Sequence, residues 1–270
     1  MTNFLADQPR VPGIENTVDV QQLFRLDGRV AVVTGGTRGI GRAIAEAFAA
    51  AGARVVVASR KADACAETEK YLEAAGYQAL GVPCHLGSVD DIRRLVTSTA
   101  ERFGTIDIIV NNAANPLTEP LGEFTEAGFT KSMEVNVKGP VFLIQEALPH
   151  LKASNHASVI NVVSAGAWLF SSSVALYAAA KATMVSYTKT MAADFAPSGI
   201  RVNALAPGAV DTDMLRATGP EAAESMAKAC LMARNAHPNE MVGPALFLAS
   251  DASSYVTGSV VHADGGLVAR

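Results

Sequence analysis

Cysteine is scarce in this chain. Cys65, Cys84 and Cys230 are three among 270 residues, odd in number and far apart. That argues against a disulfide frame and points to reduced thiols in the cytoplasm. Charge of one sign is lacking too: the formal net charge is −4, and no Lys/Arg cluster runs along a predicted face. Nucleic acid and anionic membranes are therefore poor candidates for the main partner. No uninterrupted apolar run reaches the ~18 residues of a membrane span. Residues 1–10 lack the apolar stretch of a secretory signal, and residues 267–270 are not a peroxisomal address, so a cytoplasmic location is expected. No His/Cys/Asp cluster has ligand spacing, so no metal is expected. His150, His156, His237 and His262 read as surface or interface residues.

What is present is apolar and alternating. Apolar residues make up 49% and charged ones 18%, which suits a large core with buried parallel strands. Residues 1–26, with Pro9, Pro12 and Gly13, read as an extended arm, and residues 27–270 as one domain. Strands are predicted at 30–33, 54–58, 79–82, 106–110, 158–163, 200–205 and 259–263. Helices are predicted at 39–51, 62–75, 89–103, 126–151, 176–195, 212–236 and 239–249. This rhythm implies a single doubly wound α/β domain, with a seven-stranded parallel sheet and helices on both faces.

The first strand runs into Thr34-Gly35-Gly36-Thr37-Arg38-Gly39-Ile40-Gly41. Glycines permit a sharp turn and a close approach, and a helix starting at Gly39 aims its free N–H groups at a pyrophosphate. The second strand ends in Ser59-Arg60, with no acid. Those two residues and Arg38 suit a ribose 2′-phosphate better than a 2′-hydroxyl, so NADP(H) is expected, with NAD(H) as the alternative.

Tyr177 and Lys181 stand four apart, and Ser164 stands thirteen residues before Tyr177. On a helix the first two share a face. An ammonium beside a phenol favours the phenolate, so a lowered Tyr177 pKa is expected. Ser164 would emerge at a strand's carboxyl end, completing a site for reducing a carbonyl or oxidising an alcohol. Trp168, four residues on, would border the pocket or simply pack.

Taken together these motifs resemble the short-chain dehydrogenase/reductase family. Asn111-Asn112-Ala113-Ala114, Asn136, Pro207-Gly208, Gly258 and Asp264-Gly265-Gly266 add to the likeness, which covers about residues 28–270. Cys84-His85-Leu86-Gly87, Ser59-Arg60 and Asn112-Ala113-Ala114-Asn115 look like the subgroup of NADPH-dependent carbonyl and retinal reductases called short-chain family member 4. The resemblance implies Tyr177 as general acid/base, Ser164 on the substrate oxygen, and Lys181 on the nicotinamide ribose. Asn136 would hold, through a distortion of its helix, a water linking Lys181 to solvent. Asn112 and Ala113 would line the adenosine side, and Pro207, Gly208, Val210 and Thr212 the nicotinamide. His85 replaces the family's usual Asp, and its imidazole could still accept from adenine, with the Leu86 backbone on the ring. The family also implies a homotetramer.

A small carbonyl or alcohol is thus the expected partner, with residues 115–120 and 214–232 as the remaining walls of an apolar pocket. A 3-oxoacyl-thioester reductase and a non-catalytic nucleotide sensor are the alternatives.

Overall fold

A computed structural model of the protein describes residues 19–170 and 174–268. Seven strands form its sheet: β1 (Val30–Thr34), β2 (Arg54–Ser59), β3 (Ala79–Pro83), β4 (Ile108–Asn111), β5 (Ser158–Val162), β6 (Arg201–Pro207) and β7 (Val260–Ala263). They pair in parallel in the order β3-β2-β1-β4-β5-β6-β7. The order reverses between β1 and β4, and such reversals open a crevice at the strands' carboxyl ends. Valine and isoleucine fill the central strands, which are buried along nearly their whole length, as a sheet covered on both faces requires.

The helices are α1 (Val20–Leu23), α2 (Gly39–Ala50), α3 (Ala62–Ala74), α4 (Val89–Phe103), α5 (Glu126–Met133), α6 (Gly139–Ala153), α7 (Ala175–Phe195), α8 (Asp213–Arg216), α9 (Pro220–Ala229) and α10 (Val242–Ala249). Because the pleat alternates, Ala31, Val33, Val55 and Val57 face one way and meet Ile44 and Phe48 of α2 and Leu248 of α10. Val30, Val32, Val56 and Ile109 face the other way, against Ile92 and Leu95 of α4, Leu143 of α6 and Met191 of α7.

Three expectations need correcting. Residues 1–18 of the expected arm lie outside the described residues. Its last part lies on the surface through residue 25 but is not simply extended: Asp19 caps the short helix α1, and Leu26 is fully buried in the α2 cluster with its N–H on the Ala51 carbonyl at 2.8 Å. The expected helix 126–151 is interrupted by a π-helical turn, Glu134–Lys138, in which the Gly139 N–H reaches back to the Glu134 carbonyl. Pro140 follows and has no N–H to offer the Asn136 carbonyl, so the sequence itself favours a break there. The expected helix 212–236 is two short helices. Pro220 opens α9 after Gly219, and the chain leaves helical geometry after Ala229, with Ala233 at φ +51°.

Leu26→Ala should therefore behave as a core truncation and lower unfolding stability by about 2–5 kcal/mol. Denaturant titration checks this; a change within about 0.5 kcal/mol would return residue 26 to the surface.

Candidate active site

The turn after β1 is held by its neighbour across the reversal. The Asn112 amide donates to the Thr34 carbonyl at 2.8 Å and the Gly35 carbonyl at 3.4 Å, while Thr34 Oγ1 accepts the N–H groups of Asn112 (3.0 Å) and Ala113 (3.1 Å). Gly35 has φ +66°, and a Cβ there would lie 2.8 Å from the Asn112 amide nitrogen. A Cβ on Gly41 would run into the Gly35 carbonyl and the same amide. Asn112 thus braces the turn with its side chain. Thr37 and Ile40 are partly buried beside it. Arg38 at the start of α2 supplies no side-chain cap, so the first N–H groups of a twelve-residue helix face the crevice without one. Glycine turn and uncapped helix end together fit a pyrophosphate.

At the end of β2, Ser59 Oγ accepts the Lys61 N–H at 3.3 Å and Arg60 is exposed. Arg38 is exposed as well and pairs with Asp213 at 3.2 Å. That carboxylate was not anticipated, because nothing in its spacing links it to the glycine turn. The segment after β6 brings it there. A Cβ on Gly39 would lie 3.1 Å from the Thr212 methyl, and one on Gly208 would lie 2.8 Å from the Asp264 Cα. Val210 forms a parallel bridge to Ala236, and Pro207 pairs with Ala263. Thr212 therefore lies against the start of α2, and Gly208 against the residue that follows β7.

His85 departs from expectation. Its Nδ1 accepts the Gly87 N–H at 3.1 Å, which in a neutral ring places the proton on Nε2. Nε2 is then the ring's donor, and Nδ1 cannot accept from an amino group while this turn is made. Leu86 buries its side chain in the core, and its carbonyl lies against Gly139, where a Cβ would approach it to 2.6 Å.

Ser164, Tyr177 and Lys181 come together across β5 and α7. Lys181 is buried, and its Nζ donates to the Val162 carbonyl at the end of β5 at 2.7 Å. The same nitrogen lies 5.5 Å from the centre of the Tyr177 ring. Burial pushes Lys181 down to about 8. Burial also pushes Tyr177 up to about 12, with a hydrogen bond to the Ser164 hydroxyl pulling the other way. The ring keeps a partly open edge, but the protein packed around its hydroxyl outweighs that exposure. The expected lowering is thus reversed in the chain itself, where desolvation of the phenolate is the dominant cause. Ser164 Oγ also accepts the Gly166 N–H at 3.1 Å, fixing the turn that follows β5. A neutral phenol beside a serine hydroxyl can give a proton to an oxygen placed between them.

Asn136 lies in the π turn. Its side chain exchanges two hydrogen bonds of 2.9 Å with the backbone of Asn115 and donates to Ser132 Oγ at 3.2 Å. It clamps the segment after β4. A second polar chain, Asn111 to Asn161 to Thr188, crosses the buried junction of β4, β5 and α7 with 2.9 Å bonds. Neither clamp shows in the sequence, because the partners are 21 to 50 residues apart.

A family model described as enoyl-(acyl carrier protein) reductase matches residues 35–268. The chain is 40% identical over 249 residues to "short-chain dehydrogenase/reductase SDRA" of Arabidopsis thaliana, covering 91% of this chain and 97% of that one. It is 37% identical to human "dehydrogenase/reductase SDR family member 4", covering 91% and 89%. It is 38% identical to a "rhamnolipids biosynthesis 3-oxoacyl-[acyl-carrier-protein] reductase" of Pseudomonas aeruginosa, covering 90% and 97%. Among solved structures it superposes on a gluconate 5-dehydrogenase from Burkholderia cenocepacia, crystallised with NADP and tartrate. The TM-score is 0.88 and the identity 34%, over 93% of this chain and 99% of that one.

Asn136→Ala would leave the Asn115 N–H and carbonyl without their partner. It should cost about 1–3 kcal/mol of stability and make the segment after β4 an early site of limited proteolysis. Unchanged cleavage and unfolding would show that the clamp carries no load.

Proposed function

This chain belongs to the short-chain dehydrogenase/reductase family of oxidoreductases, and from that premise we propose that it moves hydride between NADP(H) and a carbonyl or secondary alcohol. The observation that carries the reading is the convergence of Ser164, Tyr177 and Lys181 at the carboxyl end of β5. When bound, the nicotinamide supplies the hydride that joins, or leaves, the carbonyl carbon.

In reduction, Ser164 holds the substrate oxygen by a hydrogen bond and Tyr177 gives it a proton. In oxidation Tyr177, as phenolate, takes the proton from the alcohol. Lys181, tied to the Val162 carbonyl, keeps a positive charge next to the Tyr177 ring and reaches the nicotinamide ribose. Asn136 sits in the π turn that, with Pro140, frees a helical carbonyl for a water leading towards Lys181. Gly35, Thr37, Arg38, Gly39, Ile40 and Gly41 would hold the phosphates. His85 would meet the adenine as a donor, with the Leu86 backbone flanking it and Ala113 beside the adenosine.

Arg38 and Arg60 support NADP(H) over NAD(H), as does the NADP in the Burkholderia enzyme. The 3-oxoacyl-thioester alternative is supported by the Pseudomonas relative. An acidic carrier protein needs free basic groups at the pocket mouth. Here Arg216 is matched by Asp211, at 2.9 and 3.2 Å, and Lys228 by Glu224 at 2.6 Å, so these basic groups add no net positive charge. A simple ketone is the better-supported substrate. The reading extends to a cytoplasmic homotetramer, for which the exposed Phe129 and Tyr187 on the α5 and α7 surfaces are available; no helix among the described residues is long and apolar enough to cross a membrane.

NADPH should give the higher kcat/KM, and Arg60→Ala should narrow its lead over NADH by roughly ten- to a hundredfold. A faster enzyme with NADH would overturn the cofactor assignment.

Tyr177→Phe should lower kcat by about 10²–10⁴. In the intact enzyme the raised phenol stays protonated through neutral pH. Reduction should therefore be flat there and fall only in alkali, while oxidation, which needs the phenolate, should climb with pH. Opposite slopes in the two directions, or full turnover in the Phe variant, would remove Tyr177 from the reaction.

A further inference from the structure

Trp168 is the single tryptophan of the chain. It ends the 3-10 turn Ala165–Trp168, which Ser164 caps. Its ring lies 4.5 Å from that of His262 on β7, with the planes tilted by 57°. His262 Nδ1 in turn lies 3.7 Å from Asp264 Oδ2. Asp264 is well fixed: its two oxygens accept the N–H groups of Gly266 at 2.9 Å and Val268 at 3.0 Å. The same tail touches the segment after α9. The Met232 N–H donates to the Gly265 carbonyl at 3.0 Å, and a Cβ on Gly266 would lie 2.7 Å from a Leu231 methyl.

An unbroken line of contacts thus runs from the serine turn, through Trp168 and His262, to Leu231 and Met232. With one side packed on His262, Trp168 is still 41% exposed, and Leu169, Leu231 and Met232 are exposed as well. An indole this open, at the far end of the short turn that Ser164 caps, offers an aromatic face, and the rim beyond it is apolar.

We propose that Trp168 forms the substrate-contacting wall of this site, and that His262 is a positioning residue which holds the indole. The preferred substrates are then ketones or alcohols bearing an aromatic or bulky apolar group, in preference to sugars and small aliphatic ketones. This rests on the oxidoreductase reading given above and adds the substrate class to it. Stacking on the indole strengthens binding of the remote group, so the preference should be carried by KM more than by kcat.

The test compares 4-phenylbutan-2-one with butan-2-one as substrates of the full chain with NADPH. In Trp168→Ala the ratio of kcat/KM for the two should fall by about tenfold or more, through KM, whereas Trp168→Phe should hold it within about threefold. His262→Ala should lower the ratio in the same direction and change the near-ultraviolet circular dichroism of the lone tryptophan. A ratio unchanged within about twofold in Trp168→Ala would overturn the proposal. A second readout needs no turnover. With NADP+ present, 4-phenylbutan-2-one should alter Trp168 emission saturably, with weaker binding in His262→Ala. If no ketone were reduced yet emission still saturated, the catalytic reading would fail and the aromatic wall would stand. If ketones were reduced with no saturable change in emission, the wall would fail and the catalytic reading would stand.

Discussion

The placement of an ammonium group inside the protein is the constraint from which the site's geometry follows. Lys181 is buried, and its nitrogen is held by the carbonyl of Val162, the last residue of β5. Burying a charge without a partner of opposite sign is costly, and here burial lowers the group to about 8. Nothing in core packing rewards such an arrangement, which is why perturbed groups in clefts mark functional sites more often than structural ones. The bond also fixes α7 against the end of the strand. Tyr177 lies one turn earlier on that helix, and Ser164 lies two residues past Val162. One contact therefore sets the mutual position of all three.

The second constraint is backbone crowding where the sheet reverses. Asn112 satisfies the Thr34 and Gly35 carbonyls, so the two strands flanking the reversal are tied at their ends and the glycine turn has no slack. Opposite it, Gly208 packs against Asp264 with no room for a Cβ, and Thr212 closes on Gly39. These contacts bring the segment after β6 over the start of α2. The crevice is thus bounded by backbone on two sides, which suits a ligand recognised by N–H groups and shape.

Much of this was legible in the sequence, and for identifiable reasons. The valine and isoleucine runs and their spacing fixed the strands to within a few residues, because parallel strands buried on both faces are nearly pure in composition. The glycine turn, Ser164, Tyr177 and Lys181 could be found because each is tied to a local pattern. What was missed is non-local. Asp213 meets Arg38 only because two loops converge, and the direction of the Tyr177 shift depends on how much protein surrounds its hydroxyl. The orientation of the His85 ring is set by a single N–H two residues away, which residue type alone does not reveal. Gly219-Pro220 and Lys138-Gly139-Pro140 both carry local signals for a break, and the second coincides with the π turn.

The Arg38–Asp213 pair shows how the cofactor end of the site can be ordered at little cost. Both side chains are largely open, at 73% and 62% exposure, and separated by 3.2 Å. Such pairs are worth about 0–1 kcal/mol, so the carboxylate orients the guanidinium without holding it tightly. A phosphate oxygen, forming charge-assisted bonds of about 1.5–3 kcal/mol each, outcompetes it readily. An Asp or Glu at the end of β2, fixed by its own strand, would instead repel that phosphate in every arrangement. Ser59 and Arg60 stand there, and the acid nearest to Arg38 sits on α8, in a separate segment of the chain. The proposed preference for the phosphorylated ribose thus rests on which element carries the negative charge more than on how many charges are present.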